Sequence, residues 1–289
     1  MFTLRVLILA VVQGVAELLP VSSSAHVVVA EKLMGMDPSA PNMTLLLVML
    51  HTGTMLAVIL YFWNQWKQTL FQSAVAFKRS VLLLALATGI TGIGGEVLIK
   101  IIEIAWFRNA PDAEVEQLFS HLELIAPALG LAGVLIVVAG LLEKRQEPAR
   151  ATNSSGLEVK HAVLIGAVQA LCLPFRGFSR SGATISTGML SGVTKRRAEE
   201  FSFALAVLLT PPVIVRETLR LIKAMHAMGG SSLMSAVTPS IVGACGAFLS
   251  GLVALRWLSR WLESGRWHLF GVYCLMAAGG VWILHHVGY

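Results

Sequence analysis

Apolar runs dominate the chain, and its informative positions are those where polar residues interrupt them. Six stretches, 43–63, 80–103, 121–142, 201–223, 236–257 and 267–289, are apolar over at least about 20 residues, enough to cross about 30 Å of hydrocarbon as a helix. Each predicts a transmembrane helix. The second is rich in glycine and carries Glu96; the fourth holds Pro211-Pro212, which predicts a break, and ends in Arg216 and Arg220. Two further apolar stretches, 2–34 and 163–190, have a polar cluster at their middle: Ser22-Ser23-Ser24 in one, Ser179-Arg180-Ser181 in the other. Irregular backbone is tolerated at membrane depth only where protein or a cavity surrounds it, so each predicts two half-helices joined as a re-entrant hairpin.

The two halves match at an offset of about 157 residues: Val12-Gln13 against Val168-Gln169, then the two serine loops, then Leu33-Met34-Gly35 against Leu190-Ser191-Gly192. Each half reads as a hairpin followed by three spans. An odd number of spans reverses the second copy, so the layout predicts a single membrane domain over 1–289 built from inverted repeats, approximately 1–142 and 161–289, with a site where the two broken elements meet.

Composition agrees with the pattern. The chain is 56% hydrophobic and 13% charged, with a mean hydropathy of +0.74, far more apolar than a soluble domain of this length. The apolar start, 1–12, runs on into a polar motif with no small-residue cleavage site, so it is expected to be kept. The net charge of +6 would suggest nucleic acid in a soluble protein. Here the cations cluster between spans: Lys67, Lys78 and Arg79; Lys144, Arg145, Arg150 and Lys160; Lys195, Arg196 and Arg197; Arg256, Arg260 and Arg266. If the spans alternate, all these fall on one side, which the positive-inside rule makes the cytoplasm, with no nucleic-acid partner implied beyond anionic membrane lipid. The other side receives Asp112, Glu114 and Glu116, and, against the rule, Arg216, Arg220 and Lys223. Cys172, Cys245 and Cys274 have neither disulfide nor metal-site spacing and read as packing residues.

The chemistry lies in the hairpins. Gln13 and Glu17 are four residues apart on one helix face, and a carboxylate inside an apolar segment marks a functional site by default. Pro20 ends the first half-helix; Ser22, Ser23 and Ser24 are placed to cap the second and to offer hydroxyls beside free amides at a positive helix end, with His26 following. Such an end binds phosphate. The second loop, from Arg176 to Thr184, supplies guanidinium groups that fork onto phosphate oxygens, and Gly177 and Gly182 would let the backbone approach a ligand. A carboxylate, a histidine, hydroxyls and arginines suit phosphoryl transfer, and Glu17 with Gln13 could hold Mg²⁺ or Ca²⁺ against a diphosphate. His51, inside a span, either lines this site or bonds a neighbouring helix.

These motifs resemble the undecaprenyl diphosphate phosphatase family, also called bacitracin-resistance proteins. The segments carrying the resemblance are Gln13-Gly14-Val15-Ala16-Glu17, Leu19-Pro20-Val21-Ser22-Ser23-Ser24-Ala25-His26 and Gly177-Phe178-Ser179-Arg180-Ser181-Gly182-Ala183-Thr184. Weaker agreement comes from Leu50-His51-Thr52-Gly53-Thr54 and Glu200-Phe201-Ser202-Phe203. The resemblance implies that Glu17 is the metal-linked or acid/base carboxylate, Ser23 and His26 the candidates for nucleophile or proton acceptor, and Arg180 the phosphate clamp. Ser179, Ser181 and Thr184 would complete the cradle. The chain departs from the family in having Arg176-Gly177 where Pro-Gly is usual, which adds a second phosphate contact or rebuilds the turn.

The expectation is therefore an all-α polytopic enzyme of the bacterial inner membrane, with six spans and two re-entrant hairpins and its site open to the periplasm. It would hydrolyse undecaprenyl diphosphate, recycling the lipid carrier of peptidoglycan synthesis and giving bacitracin resistance. A homodimer is left open, as is the choice between Ser23, His26 and water as nucleophile. The rival reading is a polyprenyl-phosphate flippase using the same residues.

Overall fold

A computed structural model describes residues 2–38, 40–106, 121–150, 156–227, 233–262 and 266–288. Regular structure among them is helical throughout: α1 (Phe2–Ala16), α2 (Ser23–Leu33), α3 (Pro41–Thr69), α4 (Ala74–Trp106), α5 (Leu122–Arg150), α6 (Val159–Cys172), α7 (Arg180–Leu190), α8 (Lys195–Ala227), α9 (Leu233–Leu262) and α10 (Trp267–Val287). Six of these, α3, α4, α5, α8, α9 and α10, contain a segment long and apolar enough to cross a bilayer. The remaining four form two pairs, α1 with α2 and α6 with α7, each broken at the polar cluster that interrupts its apolar run.

The break expected at Pro211-Pro212 is absent, and α8 runs through both prolines. Hydroxyl back-bonding and neighbouring helices let proline sit inside a membrane helix. Both operate here, since Thr210 Oγ1 donates to the Ala206 carbonyl at 2.8 Å and α3, α4 and α7 pack on α8. The acidic stretch with Asp112, Glu114 and Glu116 lies outside the described residues. Of the cysteines, Cys274 is buried in the core and Cys172 is half-buried, whereas Cys245 is exposed on α9 and so does not pack as expected.

The bundle packs through close helix pairs, chiefly α5 on α10, α3 on α9, α4 on α6 and α1 on α9. Lipid tails are as apolar as leucine, so tight backbone approach replaces the hydrophobic drive of water. Gly53 of α3 lies against α9 so closely that a Cβ there would fall 2.0 Å from the Ala244 carbonyl oxygen. Outward-facing apolar side chains such as Leu82, Ile93 and Ile104 along α4 are exposed, as suits lipid contact. Beneath the hairpin loops one core joins Ala16 and Val21 of the first half to Ile185 and Met189 of the second, with Trp267 and Cys274 of α10. Trp267 Nε1 donates to Ser186 Oγ at 3.0 Å, pinning α7. The shared core sets the two loops against each other.

Candidate active site

The first loop begins where α1 ends at Ala16. Glu17 keeps one more helical bond, its amide donating to the Gln13 carbonyl at 2.9 Å, so its side chain stays on the Gln13 face. The carboxylate is only 4% exposed, and polar groups surround it. Oε2 accepts from Gln13 Nε2 at 2.8 Å and from the Ser23 hydroxyl, and lies 3.2 Å from His51 Nε2. Oε1 pairs with the Arg180 guanidinium from the second hairpin. Four residues on α1, α2, α3 and α7 thus converge on one buried carboxylate.

His51 lines the site. Its Nδ1 is 2.8 Å from the Leu47 carbonyl, which can only accept, so Nδ1 carries a proton. Arg180 brings a fixed positive charge to the cluster, which suits an anionic phosphate.

The two loops use their serines differently. Ser22 sits at the start of α2 with φ 65° and ψ 79°, a left-handed conformation that no other non-glycine described residue adopts. This swings its side chain off the helix end, and the expected serine cap on α2 is not made. Ser22 Oγ is buried with no hydrogen-bond partner among the described residues. Such strain and an unpaired hydroxyl at a helix N-terminus mark a place for a ligand. In the second loop Ser179 does cap, its hydroxyl accepting from the Gly182 amide at 3.2 Å.

The sequence profile described as bacitracin resistance protein BacA matches residues 6–280. The chain belongs to the BacA family. It is 57% identical over 281 residues, 96% of each chain, to a protein of Acinetobacter baylyi named undecaprenyl-diphosphatase 2. It is also similar to a Burkholderia ambifaria protein of the same name, at 36% identity over 96% of this chain and 94% of that one. A Rhodopirellula baltica undecaprenyl-diphosphatase is 33% identical over 95% of each.

Within this BacA chain the other candidate residues take distinct places. Ser181 is buried in the first turn of α7 and Ser24 is half-buried in that of α2. Thr184 is fully buried; its hydroxyl donates to the Arg180 carbonyl at 2.7 Å and lies 2.6 Å from Ser202 Oγ, so it supports α7 from behind. The close approach allowed by the loop glycines is to protein. A Cβ on Gly177, at φ 107°, would lie 2.5 Å from the Ile125 carbonyl, and one on Gly182 would lie 3.0 Å from the Pro20 carbonyl. Gly182 therefore lets the two loops touch.

The charge of Arg176 acts on Glu31 of α2, a carboxylate with no exposed surface that also feels Asp37. Glu31 escaped the sequence reading because, next to Lys32 at a helix end, it resembles an interfacial charge. His26 points away from Glu17. Its Nδ1 lies 2.8 Å from the Ser22 carbonyl and its Nε2 2.7 Å from the Tyr273 hydroxyl. Tyr273, in the middle of a span, gave no local signal either. His26 and Tyr273 border an apolar cavity of about 530 Å³ between α1 and α10.

Proposed function

We propose that this chain hydrolyses undecaprenyl diphosphate to undecaprenyl phosphate and inorganic phosphate at the junction of its two hairpins. The observation that carries the reading is the convergence of Ser23, His51 and Arg180 on buried Glu17, beside the strained, unsatisfied Ser22. A hydroxyl bonded to a carboxylate is an activated nucleophile, and an arginine beside it neutralises phosphate charge. The names of the relatives, undecaprenyl-diphosphatase at up to 57% identity, support the same substrate and reaction.

In this reading Ser23 Oγ attacks the terminal phosphorus and its proton passes to Glu17. The bond from phosphorus to the bridging oxygen breaks, and its electron pair leaves with undecaprenyl phosphate. Arg180, the amides at the start of α2 and Ser22 Oγ hold the terminal phosphate. Ser24, Ser179 and Ser181 belong to the same two loops, and Arg176 adds a second guanidinium to the second loop.

Gln13 Oε1 is buried without a hydrogen-bond partner next to Glu17, so this pair fits a hard cation that takes one carboxylate and completes its shell with substrate oxygens. Mg²⁺ or Ca²⁺ held there would neutralise diphosphate charge. Among the described residues there is no cluster of three or more histidine, cysteine, aspartate or glutamate side chains of the kind a zinc site needs.

The positive-inside clusters support a place in the bacterial inner membrane, and the likeness to the family supports a site opening to the periplasm. The inverted repeat belongs to the same proposal. Its support is an exchange of packing partners: α1 lies on α9 as α6 lies on α4, and the counterparts α5 and α10 pack on each other, as do α3 and α8.

The test is phosphate release from undecaprenyl diphosphate by purified protein in detergent with Mg²⁺, Ca²⁺ or EDTA. Wild type should release phosphate and Glu17→Ala and Arg180→Ala should not. Folded wild type that releases none under any metal condition would overturn the reading in favour of lipid transport.

A further inference from the structure

His26 is held by both ring nitrogens. The Ser22 carbonyl offers only lone pairs, so Nδ1 carries the proton and donates to it. Nε2 is then the one nitrogen left with a lone pair, and it lies 2.7 Å from the Tyr273 hydroxyl, which donates to it. The two rings stack almost parallel, at 10° with centroids 5.7 Å apart, so Tyr273 fixes the plane of the imidazole as well as its tautomer. His26 is a polar group on the lining of the cavity, together with Tyr273 and Arg266, and the apolar walls include Val15, Leu19, Leu269 and Phe270.

A cavity of that size, apolar but for a few convergent groups, has the form of a small-ligand site. The serine loop borders it through Val21 and His26. A prenyl chain lying there would leave the lipid-linked phosphate at His26. Water that later releases phosphate from Ser23 must approach in line, from the side the lipid phosphate has vacated, and its proton needs an acceptor there because Glu17 already holds the serine proton. We propose that Tyr273 is a positioning residue of this reaction, setting His26 so that Nε2 faces the incoming water on the cavity side. The balance is simple. Water oxygen bonds to phosphorus, its proton goes to Nε2, the bond from phosphorus to Ser23 Oγ breaks with its electron pair on Oγ, and Glu17 returns the proton to that oxygen. The Tyr273 hydroxyl yields Nε2 to water; the proton on Nε2 then leaves with inorganic phosphate, and the hydroxyl donates to Nε2 again. This inference rests on the phosphatase reading above.

The test is a double-mutant cycle of Tyr273→Phe and His26→Ala, read as kcat and KM for undecaprenyl diphosphate. Tyr273→Phe keeps the stacked ring and removes only the hydroxyl. In the wild-type background it should lower kcat about tenfold, a part of what general base catalysis supplies, with KM little changed. In the His26→Ala background it should cost nothing more. Equal losses in both backgrounds, a change confined to KM, or wild-type kcat in Tyr273→Phe would each overturn the assignment. The two readings fail differently: absence of phosphate release from wild type sinks the phosphatase reading, whereas active wild type with additive losses sinks only the role of Tyr273. Ring ¹⁵N shifts of His26 give a second measurement. Wild type should show a protonated Nδ1 and a hydrogen-bonded, unprotonated Nε2, and Tyr273→Phe should move the Nε2 resonance; an unmoved resonance would also overturn the assignment.

Discussion

Replacing Glu17 by Gln removes one charge and almost no volume, so it tests the cluster without leaving a hole. The carboxylate presents Oε2 to Gln13, Ser23 and His51 and Oε1 to Arg180. A glutamine has a single oxygen. Whichever way its amide turns, an NH₂ group faces either the guanidinium or the three groups on the other side, so at least one charged hydrogen bond is lost, worth about 1.5–3 kcal/mol. Arg180 also loses its countercharge while mostly buried, which brings the expected destabilisation to about 3–5 kcal/mol. If Glu17 takes the Ser23 proton, Glu17→Gln should lower kcat by about 10²–10⁴-fold. The assay is phosphate release from undecaprenyl diphosphate, with denaturant unfolding in detergent as the stability measure. The kcat of Glu17→Gln within a few-fold of wild type would refute the proton-acceptor role. An unchanged unfolding midpoint would refute the charge balance drawn around Arg180.

Arg180→Lys keeps a charge but not the fork that can serve Glu17 and phosphate together, so it should lower kcat/KM at least tenfold in the same phosphate-release assay. Thr184→Val should behave in the opposite way: the hydroxyl is committed to Arg180 O and Ser202, so stability should drop by about 1–3 kcal/mol while KM holds, which unfolding and kinetics measured side by side would show. Gly53→Ala places a methyl 2.0 Å from the Ala244 carbonyl and should force α3 from α9, carrying His51 with it; a lower thermal midpoint together with reduced kcat is expected.

Much of this architecture is written locally and some of it is not. The hairpins are legible because a serine triplet or an arginine in the middle of an apolar run conflicts with a plain crossing, and only a broken element resolves the conflict. Glu17 and Arg180 stand out for the same reason, as expensive charges at membrane depth. Pro211-Pro212 carries the opposite lesson: proline is a strong local breaker, yet Thr210 and three neighbouring helices keep α8 whole. Thr184 and Arg176 sit in the right motif, but which way each side chain turns is decided by what packs against α7 and its loop. Ser202 claims the first and Glu31 attracts the second. Ser22 fails as a cap because its backbone is left-handed, a property that no serine triplet announces.

The division of the site between halves has its own physical reason. Glu17 comes from the first hairpin and its countercharge, Arg180, from the second, so neither loop alone could bury its charge without a large penalty. The shared core under both loops and the approach of Gly182 to the Pro20 carbonyl bring them together, and only then is the carboxylate neutralised. Tertiary assembly and site formation are therefore one event. A chain whose halves fail to dock keeps an unpaired carboxylate in an apolar segment, an arrangement the bilayer strongly disfavours. The same coupling holds the Arg180 guanidinium at the junction of the two loops, where its forked donors suit the oxygens of a diphosphate.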